Sequence, residues 1–200
     1  MRGYFIVIEG PDGVGKSVQA ALLRAYLDTR GCKVVLTKEP TKEGSAASKI
    51  REVLSRNSKA DPYELQRLFA EDRRNHLETV IKPALARGET VISDRYFFSS
   101  FAYGSLECDL EKIVELNKDF PIPDLTIVLS ASPEVCVDRM KKRGDKSPEF
   151  FEEAEKLKKV TEVYKSLMSK FPNMQLIDSE EGIESIHQRI ISLLPENLGV

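Results

Sequence analysis

The chain has 200 residues, 41% hydrophobic and 31% charged, which suits one compact domain over residues 1–200 with a single sizeable core. Its 30 Lys and Arg against 32 Asp and Glu leave a formal net charge of −2. That excludes the basic footprint of a nucleic-acid binder but not a small anionic ligand held by a few focused cations. Three cysteines without a CxxC pair, two isolated histidines and no apolar run of bilayer length point to reduced thiols in a cytoplasmic protein, with no zinc site and no membrane partner.

In chain order, Phe5–Ile8 is an apolar run of strand length, too short for a secretory leader. The segment Gly10-Pro11-Asp12-Gly13-Val14-Gly15-Lys16-Ser17 follows at once and opens a helix from about Lys16 to Gly31. It satisfies G-x-x-x-x-G-K-[ST] at every fixed position. Glycines allow a tight turn with N–H groups pointing inward, the helix start adds positive potential, and Lys16 and the Ser17 hydroxyl are placed for phosphate and Mg²⁺. A chance match in a chain this long has odds of roughly one in a hundred, so binding of a nucleoside triphosphate follows.

Val34–Leu36 is the next strand. Asp61-Pro62-Tyr63-Glu64 writes a helix start: cap residue, proline at the first helical position, and glutamate in the first turn. Its apolar stripe continues through Leu65, Leu68, Phe69, Leu77, Val80, Ile81, Ala84 and Leu85 to a stop at Gly88. Pro83, inside the stripe, should bend the helix or thin its last turns. Phe69 and Arg73 share one face, so a ring and a guanidinium stand one turn apart.

Thr90–Ser93 forms a third strand ending in Asp94-Arg95-Tyr96. In open α/β sheets ligands bind at the carboxyl ends of strands, so Asp94 is placed to hold Mg²⁺ and Arg95 to bridge two phosphates. Ser100 and Tyr103 stand one turn apart just beyond. Leu125–Leu129 and Leu176–Ile177 complete five apolar runs. They are near-continuous, as strands buried on both faces are, and helical patterns separate them, which predicts an α/β fold with a parallel sheet. Ser132-Pro133 and Ser147-Pro148 open two more helices. The second carries Phe150, Ala154, Leu157, Thr161, Tyr164, Leu167 and Phe171 toward one face and ends at Pro172. Between them lies a short polar lid at about 143–149.

Taken in order, IEGPDGVGKS, TKEP at 37–40, FAEDRRNH at 69–76, IKPALARGETVISDRY at 81–96, SSFAY at 99–103 and PDLTIVLSASPE at 123–134 resemble the thymidylate kinase family along nearly the whole chain. The resemblance implies a P-loop fold with a five-stranded parallel sheet flanked by helices on both faces. It also implies ATP with Mg²⁺ as donor, thymidine monophosphate (dTMP) as acceptor, and a homodimer. Gly10 to Ser17, with Val18 and Arg143, make up the implied ATP set, Arg143 packing on adenine. Asp12 would contact the sugar 3′-hydroxyl, Phe69 would stack on thymine, and Arg73 would bond the thymine side or hold its neighbours in register. Arg95 would bind the acceptor phosphate with help from Arg51 and Lys38. Ser100 would lie near the base, Tyr103 would pack where a 2′-hydroxyl would sit, and Tyr164 matches a lid-helix tyrosine near the acceptor. Ser17 and Asp94 are the implied metal ligands.

The chain departs from the family where Gly13 replaces an arginine found in some members. The lid offers only Arg143 and Lys146, which leaves the identity of the last clamp cation open. The glycine pair often seen after TKEP is also missing. An acceptor that is already an anionic phosphate needs no general base, so catalysis should be alignment plus charge neutralisation by Lys16, Mg²⁺, Arg95 and a lid cation, with Asp12 counted among the catalytic residues. Two other readings remain open at this point. One is a deoxynucleoside kinase with Glu39 as general base. The other is a GTP-dependent switch protein, for which Asn117-Lys118-Asp119-Phe120 and Asp28-Thr29-Arg30-Gly31 are partial motif matches.

Overall fold

The computed structural model describes residues 2–55, 57–144, 150–195 and 198. Five strands, β1 (Phe5–Glu9), β2 (Val34–Lys38), β3 (Thr90–Asp94), β4 (Leu125–Ser130) and β5 (Met174–Asp178), form one sheet in the order β2-β3-β1-β4-β5. Every pairing is parallel, as the five uninterrupted apolar runs predict.

Nine α-helices are described: α1 (Lys16–Thr29), α2 (Ser45–Leu54), α3 (Pro62–His76), α4 (Lys82–Ala86), α5 (Phe97–Gly104), α6 (Leu110–Asn117), α7 (Pro133–Arg143), α8 (Phe150–Leu167) and α9 (Ile183–Ile191). Because alternate residues of a strand face opposite sides, β1 divides the core. Ile6 and Ile8 pack with Leu23 and Leu27 of α1 and with Ile186 and Ile190 of α9. Phe5 and Val7 pack with Ile81, Phe98, Val160 and Tyr164. Helices therefore cover both faces, and α8 contributes to both clusters through Leu157 on one side and Val160 on the other.

The α3 start is built as its sequence dictates. Asp61 Oδ1 accepts from the Tyr63 and Glu64 amides at 2.9 and 3.3 Å, satisfying two donors that a helix leaves open. The strain expected at Pro83 is absorbed upstream. Leu77–Ile81 form a π-type wide turn between α3 and α4, which lets a ring without an N–H enter the second helix near its start. Gly88 then follows the C-cap residue Arg87 with φ 77°. One expectation is corrected. Helix α8 ends at Leu167, not at Pro172, and Phe171 beyond it packs its ring 4.9 Å from Phe98. Of the lid, Arg143 ends α7 and Gly144 caps it at φ 86°, whereas Lys146 and the Ser147-Pro148 helix start lie outside the described residues.

Leu27 is fully buried at the end of α1. Leu27→Ala should lower the unfolding free energy by about 2–5 kcal/mol, read by urea denaturation. A loss under about 1 kcal/mol would mean that α1 does not seal this face of the sheet.

Candidate active site

The turn after β1 needs glycine for two different reasons. At Gly10 and Gly13 φ is 132° and 86°, and a Cβ would stand 2.2 Å from the Leu129 carbonyl oxygen and 2.3 Å from that of Cys136. At Gly15 the space is open, and its φ of 94° is what excludes other residues. Lys16 folds back over this turn, donating to the Gly10 and Pro11 carbonyls at 3.0 and 2.6 Å. Burial, followed by the nearby Arg95 charge, pushes its pKa down to about 7, against the pull of Asp12, Asp94 and Glu9.

Parallel pairing puts Asp94 opposite Ile8, so the end of β3 lies beside the glycine turn. The Ser17 hydroxyl donates to Asp94 Oδ2 at 2.5 Å. Asp94 is 3% exposed, and its Oδ1 has no hydrogen-bond partner among the described residues. Arg95 adopts φ 77°, a conformation that costs a non-glycine residue free energy and clusters at functional sites. Its backbone is pinned there: its N–H donates to Ile8 and its carbonyl accepts from the Ser93 hydroxyl. The left-handed turn sends the guanidinium to Asp12 Oδ1 at 2.5 Å and Ser99 Oγ at 2.7 Å. The Tyr103 hydroxyl donates to Asp12 Oδ2 at 3.0 Å and accepts from the Asp12 amide at 2.9 Å. Burial raises the Asp12 pKa, but Arg95, Lys16 and the Tyr103 hydrogen bond outweigh it and hold the carboxyl below its usual range.

Glu9 supports this assembly from below and carries no functional signal in the sequence. Fully buried, it accepts from the Tyr96 and Ser99 amides, the Ser99 hydroxyl and the Tyr164 hydroxyl. Burial pushes its carboxyl pKa up, with Arg95 and these hydrogen bonds opposing. Tyr164 is 1% exposed and holds Glu9, so the structure puts it behind the pocket wall.

A cavity of about 440 Å³ opens in front of Arg95 and is lined by Asp12, Lys38, Phe69, Arg73, Ser100 and Tyr103 among others. Seven of the nine residues expected at an acceptor, Arg95 included, thus line this cavity. Arg51 does not join them, because its exposed guanidinium donates to the Lys42 carbonyl. A second cavity, of about 400 Å³, lies on the other side of the turn. Gly13, Val14, Gly15, Val18, Gln19 and Arg143 face it.

Arg73 is buried and tightly held. It donates to Glu39 at 2.8 Å, Asn117 Oδ1 at 2.5 Å and Ser100 Oγ at 3.3 Å. The other Glu39 oxygen meets His76 Nδ1 at 3.0 Å. Both Glu39 oxygens are therefore engaged in a buried network, where they hold Arg73 and His76 in place. Asn117 donates to its own helix at Ile113 and turns its oxygen to Arg73, while Phe120 packs under the Arg73 and Arg74 guanidiniums. The partial guanine-reading motif is thus a support for Arg73. Asp28 lies on the exposed side of α1, paired with Arg24, far along the helix from the phosphate turn. Asn117→Ala should leave a buried Arg73 N–H unpaired and cost about 1–3 kcal/mol, measured by urea denaturation. An unchanged midpoint would show that Asn117 does not hold Arg73.

The thymidylate kinase family model matches residues 8–190. A probable thymidylate kinase of Pyrococcus horikoshii is 40% identical over 204 residues, covering 99% of this chain and 98% of the relative. One from Thermococcus kodakarensis is 40% identical over 203 residues, covering 98% of each. A thymidylate kinase of Desulfotalea psychrophila is 36% identical over 190 residues, covering 94% and 93%. With a family model matched over nearly the whole chain and relatives at 36–40% identity, this chain belongs to the thymidylate kinase family.

Proposed function

We propose that the protein transfers the terminal phosphoryl group of ATP to thymidine 5′-monophosphate, giving the diphosphate. One observation carries the reading: the phosphate turn with Lys16 and the acceptor cavity with Phe69, Arg73 and Tyr103 meet at the Arg95–Asp12 pair. The triphosphate lies along the turn, with its base in the cavity faced by Val18 and Arg143. The acceptor base stacks on Phe69, with Arg73 donating to a base carbonyl. Tyr103, fixed by Asp12, fills the sugar side.

The oxygens of Ser17 and Asp94 suit a hard cation such as Mg²⁺, and the unpaired Asp94 Oδ1 supplies a buried anionic donor for it. When bound, Mg²⁺ neutralises charge on the β- and γ-phosphates. Lys16 and Arg95 then hold the remaining negative charge and align the two phosphates, so this chain's task is positioning and electrostatic stabilisation. Three free thiols suit a reducing compartment such as the cytoplasm. Homodimer formation, as the family suggests, is also part of the reading.

A panel of nucleoside monophosphates and nucleosides assayed with Mg²⁺ and ATP tests the activity. dTMP should be the best acceptor, and Arg95→Ala should lower its rate by roughly 10²–10³. Thymidine outperforming dTMP, or an Arg95→Ala rate within a factor of two of the parent, would contradict it. Lys16 gives a pH signature. With a pKa near 7 it is largely neutral at pH 8, and incoming phosphates favour its charged form. ATP binding at pH 8 should therefore take up a proton, seen as a calorimetric enthalpy that varies with the ionisation heat of the buffer. A buffer-independent enthalpy would show that Lys16 is already charged.

A further inference from the structure

Lys38 closes β2, and its ammonium lies 3.0 Å from Asp94 Oδ2 and 3.5 Å from the Ser17 hydroxyl. These residues are the ones proposed above to hold Mg²⁺. A carboxylate as buried as Asp94 requires a counter-charge, and in this structure a lysine supplies it. An ammonium and a divalent cation cannot both occupy the same small set of oxygens, since two positive charges in contact repel strongly at low dielectric.

Three observations make Lys38 movable without disturbing the fold. Its side chain is 57% exposed, against 4% for Asp94. Its backbone is fixed independently, with Lys38 in register opposite Asp94 in the β2–β3 ladder, so only the flexible four-carbon stem needs to swing. Its side chain also borders two cavities. One, of about 570 Å³, includes Ser17 and Asp94, and the other is the acceptor cavity faced by Arg95. Lys38 stands on the partition between the cation-holding oxygens and the acceptor phosphate.

We propose that Lys38 is a displaceable counter-ion that couples the two substrates. Metal-nucleotide binding at Ser17 and Asp94 evicts the ammonium, which then turns into the acceptor cavity and meets the phosphate of the nucleoside monophosphate beside Arg95. Without the metal-nucleotide, Lys38 remains on Asp94 and the acceptor phosphate lacks that cation. By linkage, the acceptor must strengthen metal-nucleotide binding by the same factor that it is itself strengthened. The inference rests on the proposed kinase function and adds a defined coupling residue to it.

The test is calorimetric titration of dTMP into the protein, alone and with saturating Mg²⁺ and a non-hydrolysable ATP analogue, for the parent, Lys38→Met and Lys38→Gln. In the parent the Kd for dTMP should fall about tenfold on adding the metal-nucleotide, within the usual range of coupling between sites. In both variants the change should shrink below twofold. Mn²⁺ binding without nucleotide, followed by electron paramagnetic resonance, should be tighter in the variants because the competing ammonium is gone. Undiminished coupling in variants that still bind dTMP, or Mn²⁺ affinity unchanged or weaker, would overturn the role of Lys38 and leave the kinase reading standing. Failure of all three proteins to bind dTMP would overturn both.

Discussion

The parallel register of β1 against β3, with Ile8 opposite Asp94, determines where charge collects in this molecule. β1 delivers the phosphate turn and β3 delivers Asp94 and Arg95, and the register brings their ends level. One residue of slip would turn every side chain of β3 to the other face, sending Arg95 away from Lys16. The fully buried faces of both strands make such a slip costly, so the hydrophobic core is what holds the catalytic charges in place.

Around that junction, positive and negative groups are arranged in layers. Lys16 and Arg95 lie at the phosphate turn, Asp12 and Asp94 lie beside them, and Glu9 lies beneath with its hydrogen bonds supplied by Ser99, Tyr96 and Tyr164. A buried carboxylate under an arginine is stabilising only when it is fully bonded, and Glu9 meets that condition. The left-handed Arg95 is the strained element, and two backbone hydrogen bonds hold it so that its guanidinium is aimed before substrate arrives. Such preorganisation is what electrostatic catalysis requires, because no reorganisation is then needed during the reaction. The bonds to Glu39, Asn117 and Ser100 do the same for Arg73: a buried guanidinium is fixed on three sides at the edge of the cavity that also includes Phe69.

The sequence was most informative where local chemistry decides structure. Five apolar runs mark the five strands: β1, β3 and β4 are buried almost throughout and have little room for polar residues, while the edge strands β2 and β5 are only partly buried. The glycine turn, the Asp61 cap and the Ser132-Pro133 helix start are short-range features and were readable directly. Tyr164, Arg51 and Asn117 were not. Tyr164 meets Glu9 across 155 positions of chain, and nothing near either residue announces the contact. Arg51 has a cation's credentials, yet its helix α2 aims it at the Lys42 carbonyl. Asn117 resembled part of a guanine-reading motif, but its position at the end of α6 gives it to Arg73 instead. Pro172 is a poor guide to the end of α8, at Leu167, because proline marks where a helix cannot continue, not where packing stops it.

The central claim is that donor and acceptor phosphates meet in one crevice between Lys16 and Arg95. An adenosine and a deoxythymidine joined through a chain of five phosphates tests it directly, by inhibition kinetics against each substrate in turn. The account predicts competition with both ATP and dTMP, with affinity far above that of either substrate. Competition with only one of them would place the two sites apart and contradict the account.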